Sequence, residues 1–194
     1  NHGTDGSGIA LNNLITTGIE TVHVTSLGKD TETSKVSNSI SSIVTTTDKS
    51  SLIIDGDKLL TVGLVDKQFT SINASAAGAG VDLKLEAGGD VAFTGSAVAD
   101  RLELSSLSDL TKADVLKGGD GIDTLAIAAT IGSDFTADQR AAVSGFEILE
   151  YKGNQALTAA RSIDLTKLTG INTLFLNGGD VPLDVANLSW ALLP

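Results

Sequence analysis

Residues 117 to 127 read KGGDGIDTLAI, with three glycines and two aspartates among residues 118–123 and an apolar-alternating run directly after them. Glycine opens backbone conformations closed to other residues, and aspartate supplies the hard oxygen ligands that a calcium-type cation prefers. Residues 118–126, GGDGIDTLA, fit the nonapeptide G-G-x-G-x-D-x-U-x, where U is a large apolar residue. In that pattern the glycines curl the turn so that its carbonyl oxygens converge. Asp123 then adds a carboxylate, and Leu125 points into the core as a strand begins. The candidate ligands are thus Gly118, Gly119, Asp120, Gly121 and Asp123, and the candidate cation is Ca2+. An ordinary tight turn is the competing reading.

One turn supplies half a site, because calcium in a β-roll lies between successive turns about 18 residues apart. The sequence GSAVADRLE (95–103) keeps the first glycine, the aspartate and the leucine of the pattern. Placing its ADRLEL under IDTLAI sets Asp100 beneath Asp123, a step of 23 residues. Asp82 of GVDLKL, 18 before Asp100, is the next candidate, although its leucines fall one place out of register. Phe93, 9 before Leu102, stands where the opposite strand of a roll would put an apolar residue. Asp90 is an outlying candidate in the Gly-Gly-Asp of 88–90. Both it and Asp180 lack an aspartate three places later, which is the mark of a plain turn. His2 and His23 stand alone, and a lone histidine on a strand is seldom a ligand.

The elements that would position these residues are short strands. ETVHV (20–24), SLIIDGD (51–57), VDLKL (81–85), RLELS (101–105), DTLAI (123–127), EILEY (147–151) and NTLFL (172–176) alternate apolar and polar residues between Gly, Asn, Asp and Ser turns. TGIETVHV (17–24), SGFEILEY (144–151) and TGINTLFL (169–176) repeat one unit, with FTSINASA (69–76) a weaker copy. A strand-and-turn unit that recurs without a fixed period predicts a stacked solenoid with coils of variable length. SDFTADQRAAV (133–143) carries Thr136 and Gln139 at capping-box spacing, which predicts one short inserted helix near 136–143. The Ser/Thr-rich stretch 25–39 reads as a loop or irregular coil, and no linker divides 1–194. The expected fold is all-β, a right-handed parallel β-helix or β-roll-like solenoid in a single segment.

Composition narrows the function classes. With one Trp, one Tyr and five Phe, the core must be built from Leu, Ile, Val and Ala, which suit narrow repetitive layers of strands. A net charge of −11 makes nucleic acid and anionic membranes poor partners and divalent cations natural ones. No run of about 18 apolar residues is present to span a membrane. The absence of cysteine excludes disulfides and thiolate metal sites. Lacking Met at position 1 and ending on the apolar ANLSWALLP, the chain is expected to be a fragment of a longer one.

The nonapeptide, the Gly-[Ile/Phe]-[Glu/Asn] strands and phrases such as SLIIDGDKLLTV and FTSINASAAGAGVDLKL resemble bacterial surface-layer proteins and large adhesins of the RTX group. These are exported by type I secretion, and the likeness runs from about residue 14 to 180. The resemblance implies a solenoid that folds outside the cell on meeting calcium, and a secretion signal further along the full chain. It implies self-assembly into a surface lattice, and attachment to cell-surface polysaccharide through another part of the chain. This chain departs from the group in having one intact nonapeptide rather than a tandem array. Calcium would remove repulsion between clustered carboxylates and fix the glycine turns, so that binding energy becomes folding energy.

Other functions find less in the sequence. A polysaccharide-cleaving enzyme on a β-helix would need a basic groove and aromatic platforms, and the thirteen Lys and Arg are scattered. No G-x-S-x-G, H-E-x-x-H or phosphate-binding loop occurs. His2-Gly3-Thr4-Asp5 faintly resembles a hydrolase histidine turn but has no matching nucleophile motif. The expectation is a non-enzymatic structural protein of the bacterial surface. An adhesin segment with a ligand-binding face, or the calcium-binding tail of a secreted RTX enzyme, is the alternative.

Overall fold

In the computed structural model the described residues are 7–127, 135–153 and 165–178. Their strands follow one another as β1 (Ala10–Thr16), β2 (Thr21–Ser26), β3 (Ser37–Thr45), β4 (Ser50–Gly56), β5 (Leu59–Val65), β6 (Phe69–Ala77), β7 (Val81–Leu85), β8 (Ala92–Thr94), β9 (Arg101–Leu104), β10 (Val115–Lys117) and β11 (Thr124–Ile127). A five-residue helix α1 (Ala137–Ala141) precedes β12 (Val143–Ser144), β13 (Ile148–Gly153) and β14 (Thr173–Gly178). From β1 to β13 the chain alternates strictly between two sheets. Odd strands stack in the order β1-β3-β5-β7-β9-β11-β13-β14, and even strands as β12-β10-β8-β6-β4-β2. Every pairing is parallel, so the architecture is a β-solenoid in which the coils from β1 to β12 each contribute one strand to each sheet.

Period-2 alternation sends one face of each strand inward. In the eight-stranded sheet the inward column runs Ile40, Val62, Leu83, Leu102, Leu125, Leu149 and Leu174, with the exposed Leu11 of β1 in register at one end. Leu83, Leu102, Leu125 and Leu149 are fully buried. Facing it in the six-stranded sheet are Val22, Leu52, Ile72, Phe93, Leu116 and Val143. Leucines and isoleucines stacked on their own kind fill a narrow interior without aromatic bulk, each contributing about 2 kcal/mol by burial. Three phenylalanines, Phe69, Phe93 and Phe146, are fully buried within it.

The helix is where the sequence places it. Thr136 accepts from the Gln139 amide while the Gln139 side chain accepts from the Thr136 amide, which closes the capping box. Residues 27–36 form the irregular connection between β2 and β3, pinned by Asp30. The hydrogen bond from the Val36 amide, with help from Lys35 and Lys58, holds the Asp30 carboxyl down at about 2.

One outward face carries a charge network. Arg101 on β9 donates to Asp82 on β7 (3.0 Å), to Glu103 on its own strand (2.9 Å) and to Glu150 on β13 (2.8 Å). Lys152 reaches Glu103 at 2.7 Å, and Asn177 donates to Glu150 at 2.9 Å. The strand between, β11, presents Ala126 level with Glu103 and Glu150. Ala126 is fully buried although it lies on the outward side of the strand. Its short side chain leaves room for the network. Burial acts to raise the Glu103 carboxyl, but hydrogen bonds from Lys152 and Arg101 outweigh it and hold the carboxyl below its ordinary value.

Removing the centre of this network leaves Glu103 and Glu150 partly unpaired in a dry setting. Arg101→Met is expected to lower stability by about 2 kcal/mol. Lys84→Met, which removes a longer 3.4 Å contact from a lysine that is 40 % exposed, is expected to stay within about 0.5 kcal/mol of the parent. Urea denaturation of both variants checks the difference.

Candidate functional site

Each coil turns a corner immediately before its strand in the eight-stranded sheet. The parallel register sets Asp123 beside Asp100, since Thr124 pairs with Arg101 and Leu125 with Leu102. It also sets Glu147 beside Asp123, since Thr124 pairs with Ile148. The chain therefore stacks three acids in one corner column, at steps of 23 and 24 residues.

The acids serve the backbone. Asp123 Oδ1 accepts the Asp100 amide at 2.7 Å, and Glu147 Oε2 accepts the Asp123 amide at 2.8 Å. Asp100 Oδ1 accepts the Val81 amide at 2.7 Å, and its Oδ2 accepts the Ser96 amide at 2.5 Å. Both oxygens of Asp100 are thus engaged. Burial nonetheless pushes its carboxyl above the ordinary value, against the hydrogen bonds from Ser96 and Val81.

Asp123 differs from Asp100 in one atom. The residue is fully buried, and its Oδ2 has no hydrogen-bond partner. Burial is the main cause of a carboxyl pushed up to about 6. The Asp100 amide opposes the rise, while the charges of Asp100, Glu147 and Asp120 add to it. A buried carboxylate oxygen facing like charges is unfavourable unless a proton or a cation meets it.

The glycines of the turn answer to the packing of neighbouring coils. A Cβ on Gly118 would lie 1.7 Å from the Gly145 carbonyl oxygen of the following coil. Gly119 has φ +116°, and a Cβ there would lie 2.0 Å from the Ser96 oxygen of the preceding coil. The Asp120 amide donates to that same Ser96 oxygen at 3.2 Å, which ties the turn at 118–123 to the one at 95–100. Gly121 lies over Val98 in the same way, with φ +124°. The run of glycines is therefore required by coil stacking, whether or not a cation enters. Asp120 itself is exposed.

The remaining sequence candidates fall elsewhere. Asp82 pairs in register with Arg101, one place beyond the corner column, and its side chain joins the outward charge network. Asp90 precedes β8 and so sits at a corner of the six-stranded sheet, exposed, accepting from Thr111 Oγ1 at 3.3 Å. His23 points outward from β2 and bonds Asp55 at 2.7 Å. His2 and Asp180 lie outside the described residues. Among the described residues, no three His, Asp or Glu side chains form a ready-made ligand set. No helix among them is long and apolar enough to cross a membrane.

Glu147 is the residue that the nonapeptide search misses. The signal for it is present in SGFEILEY, because FEILEY laid under IDTLAI puts Glu147 level with Asp123. The repeated Gly-[Ile/Phe]-[Glu/Asn] unit does not mark a single coil position. Its copies at 144–151 and 169–176 lead into the eight-stranded sheet, whereas the copy at 17–24 leads into the other. What the three share is a corner glycine with positive φ: Gly18, Gly145 and Gly170.

No protein-family model matches the chain, and neither the curated proteins nor the solved structures yield a match.

Because the Asp123 carboxyl is raised in the folded chain, its neutral form favours folding. That contribution is complete below about pH 4 and is lost as pH rises to about 6. Without added metal, Asp123→Asn keeps an oxygen for the Asp100 amide and removes the charge. It is expected to be more stable than the parent by about 1–2 kcal/mol at pH 7 and equal to it near pH 4. Asp123→Ala, which lacks the acceptor, is expected to be less stable than Asp123→Asn at both pH values. Chemical denaturation across this pH range in EDTA checks the ordering.

Proposed function

We propose that this chain is a calcium-stabilised, non-enzymatic β-solenoid segment of a secreted bacterial surface protein that assembles with copies of itself into a surface lattice. The observation that carries the calcium part is the unpartnered, fully buried Asp123 Oδ2 in a turn crowded by the charges of Asp100, Glu147 and Asp120. A divalent cation held by that oxygen and by carbonyl oxygens of the stacked turns would offset the repulsion and tighten the stack. Asp123 fits the role. Asp100 fits less well, because both of its oxygens already accept amides. Glu147, through the oxygen not bonded to the Asp123 amide, is the better second carboxylate.

The structural part of the proposal rests on the resemblance to RTX surface-layer proteins and adhesins and on the solenoid itself. A stack of parallel coils with short turns makes a stiff, extended element suited to a surface protein. An adhesin would share this fold and calcium dependence, so assembly is the property that separates the two.

Calorimetry in EDTA and then in calcium tests the reading. At about 100 times the dissociation constant, calcium is expected to raise the parent's melting temperature by about 5–10 °C. Asp123→Asn is expected to start higher in EDTA and to gain little. An unchanged parent would sink the calcium reading. Electron microscopy of the calcium-loaded protein tests assembly: ordered sheets are expected, and dispersed particles at every concentration would favour the adhesin.

A further inference from the structure

The hydrogen bonds from backbone amides to carboxylates of a neighbouring coil all run in one direction along the chain. Within a sheet, each strand gives and receives backbone hydrogen bonds on both sides, so the ladders have no polarity. The corners do. Besides the column of Asp100, Asp123 and Glu147, the Thr45 amide donates to Asp66 (3.2 Å) and the Lys67 amide to Glu86 (3.2 Å), both at the exit from the eight-stranded sheet. At the entry to the six-stranded sheet the Val91 amide donates to Asp114 (2.8 Å), which is buried. In each of these six cases the acceptor carboxylate belongs to the coil that comes later in the sequence.

Backbone amides of the following coil meet the carbonyls at the same corners. The Thr124 amide donates to the Asp100 oxygen at 2.8 Å, and the Glu147 and Ile148 amides donate to the Asp123 oxygen at 3.1 and 3.0 Å. The Val115 amide donates to the Val91 oxygen at 3.0 Å. At Asp100, Asp123 and Val91, therefore, both the amide and the carbonyl are satisfied by the following coil. A buried amide without an acceptor costs about 1–3 kcal/mol, so none of these corners is complete until its successor is in place.

From this we infer that order in the solenoid is relayed from each coil to the one before it, by carboxylates that close their predecessor's corner. The relay Glu147 to Asp123 to Asp100 is its clearest path, since Asp100 and Asp123 each cap an earlier amide and have their own amide capped by the next acid. It does not depend on calcium, and its test is run in EDTA so that it stands or falls apart from the calcium reading.

The test is amide hydrogen exchange, followed by NMR on the whole 194-residue chain. In Glu147→Ala the Asp123 amide, and through it the Asp100 amide, are expected to exchange about tenfold faster than in the parent. The amides of Leu149 and Tyr151, in the coil of Glu147 itself, are expected to keep the parent rate. Glu147→Gln, which still offers an oxygen, is expected to restore slow exchange at Asp123. The inference is overturned if Leu149 and Tyr151 accelerate as much as Asp123, or if Asp123 keeps its parent rate. Should Glu147→Ala fail to fold, Glu86→Ala decides at another corner. Faster exchange at Lys67 and Thr45 with Leu102 unchanged supports the relay, and equal acceleration on both sides refutes it.

Discussion

The constraint on which this structure depends is the satisfaction of backbone amides at the corners of its coils. Parallel strands pair along their length, but where the chain leaves the ladder at a corner its amides must find another acceptor, and at Val81, Val91 and Asp100 they must do so away from water. Carboxylates from the neighbouring coil fill that need. This explains why an acidic residue stands immediately before β9, β11 and β13, and before β10 on the other sheet. It also explains why aspartate and glutamate serve at one position: the step from coil to coil is short enough for either side chain to reach the amide beside it.

That use of acids creates the tension at Asp123. A carboxylate buried to cap an amide brings a second oxygen with it, and that oxygen also needs a partner. At Asp100 the Ser96 amide supplies one. At Asp123 none does, and the charges gathered by the same stacking surround it. The site proposed for calcium is thus a by-product of the capping arrangement, made unusual by one missing donor. The glycines beside it belong to the stacking as well, since a side chain at 118 or 119 would strike the backbone of an adjacent coil.

The outward face of the eight-stranded sheet treats charge differently. There Asp82, Arg101, Glu103, Glu150 and Lys152 meet opposite partners across four strands, and the small Ala126 lets the network close over β11. Acids on this face are paired with bases, whereas acids in the corner column are paired with backbone. A net charge of −11 is in part a count of carboxylates committed to amides.

Alternation in VDLKL, RLELS and DTLAI, the capping spacing of Thr136 and Gln139, and the variable distance between repeats were enough to specify a parallel solenoid with one short helix. These features act over a few residues, and local chemistry decides them. The alignment of Asp123 over Asp100 was equally legible, because the leucine two places on fixes the register of both. The sequence could not say which face or corner each repeat occupies. Asp82 fell to the outward network by one register step, Asp90 to the other sheet, and the three Gly-[Ile/Phe]-[Glu/Asn] units to both sheets. Nor did it expose Glu147 as the third acid, or leave Asp123 with a free oxygen and Asp100 with none. Those outcomes depend on which backbone amide lies against each carboxylate, and only the stacking of whole coils settles that.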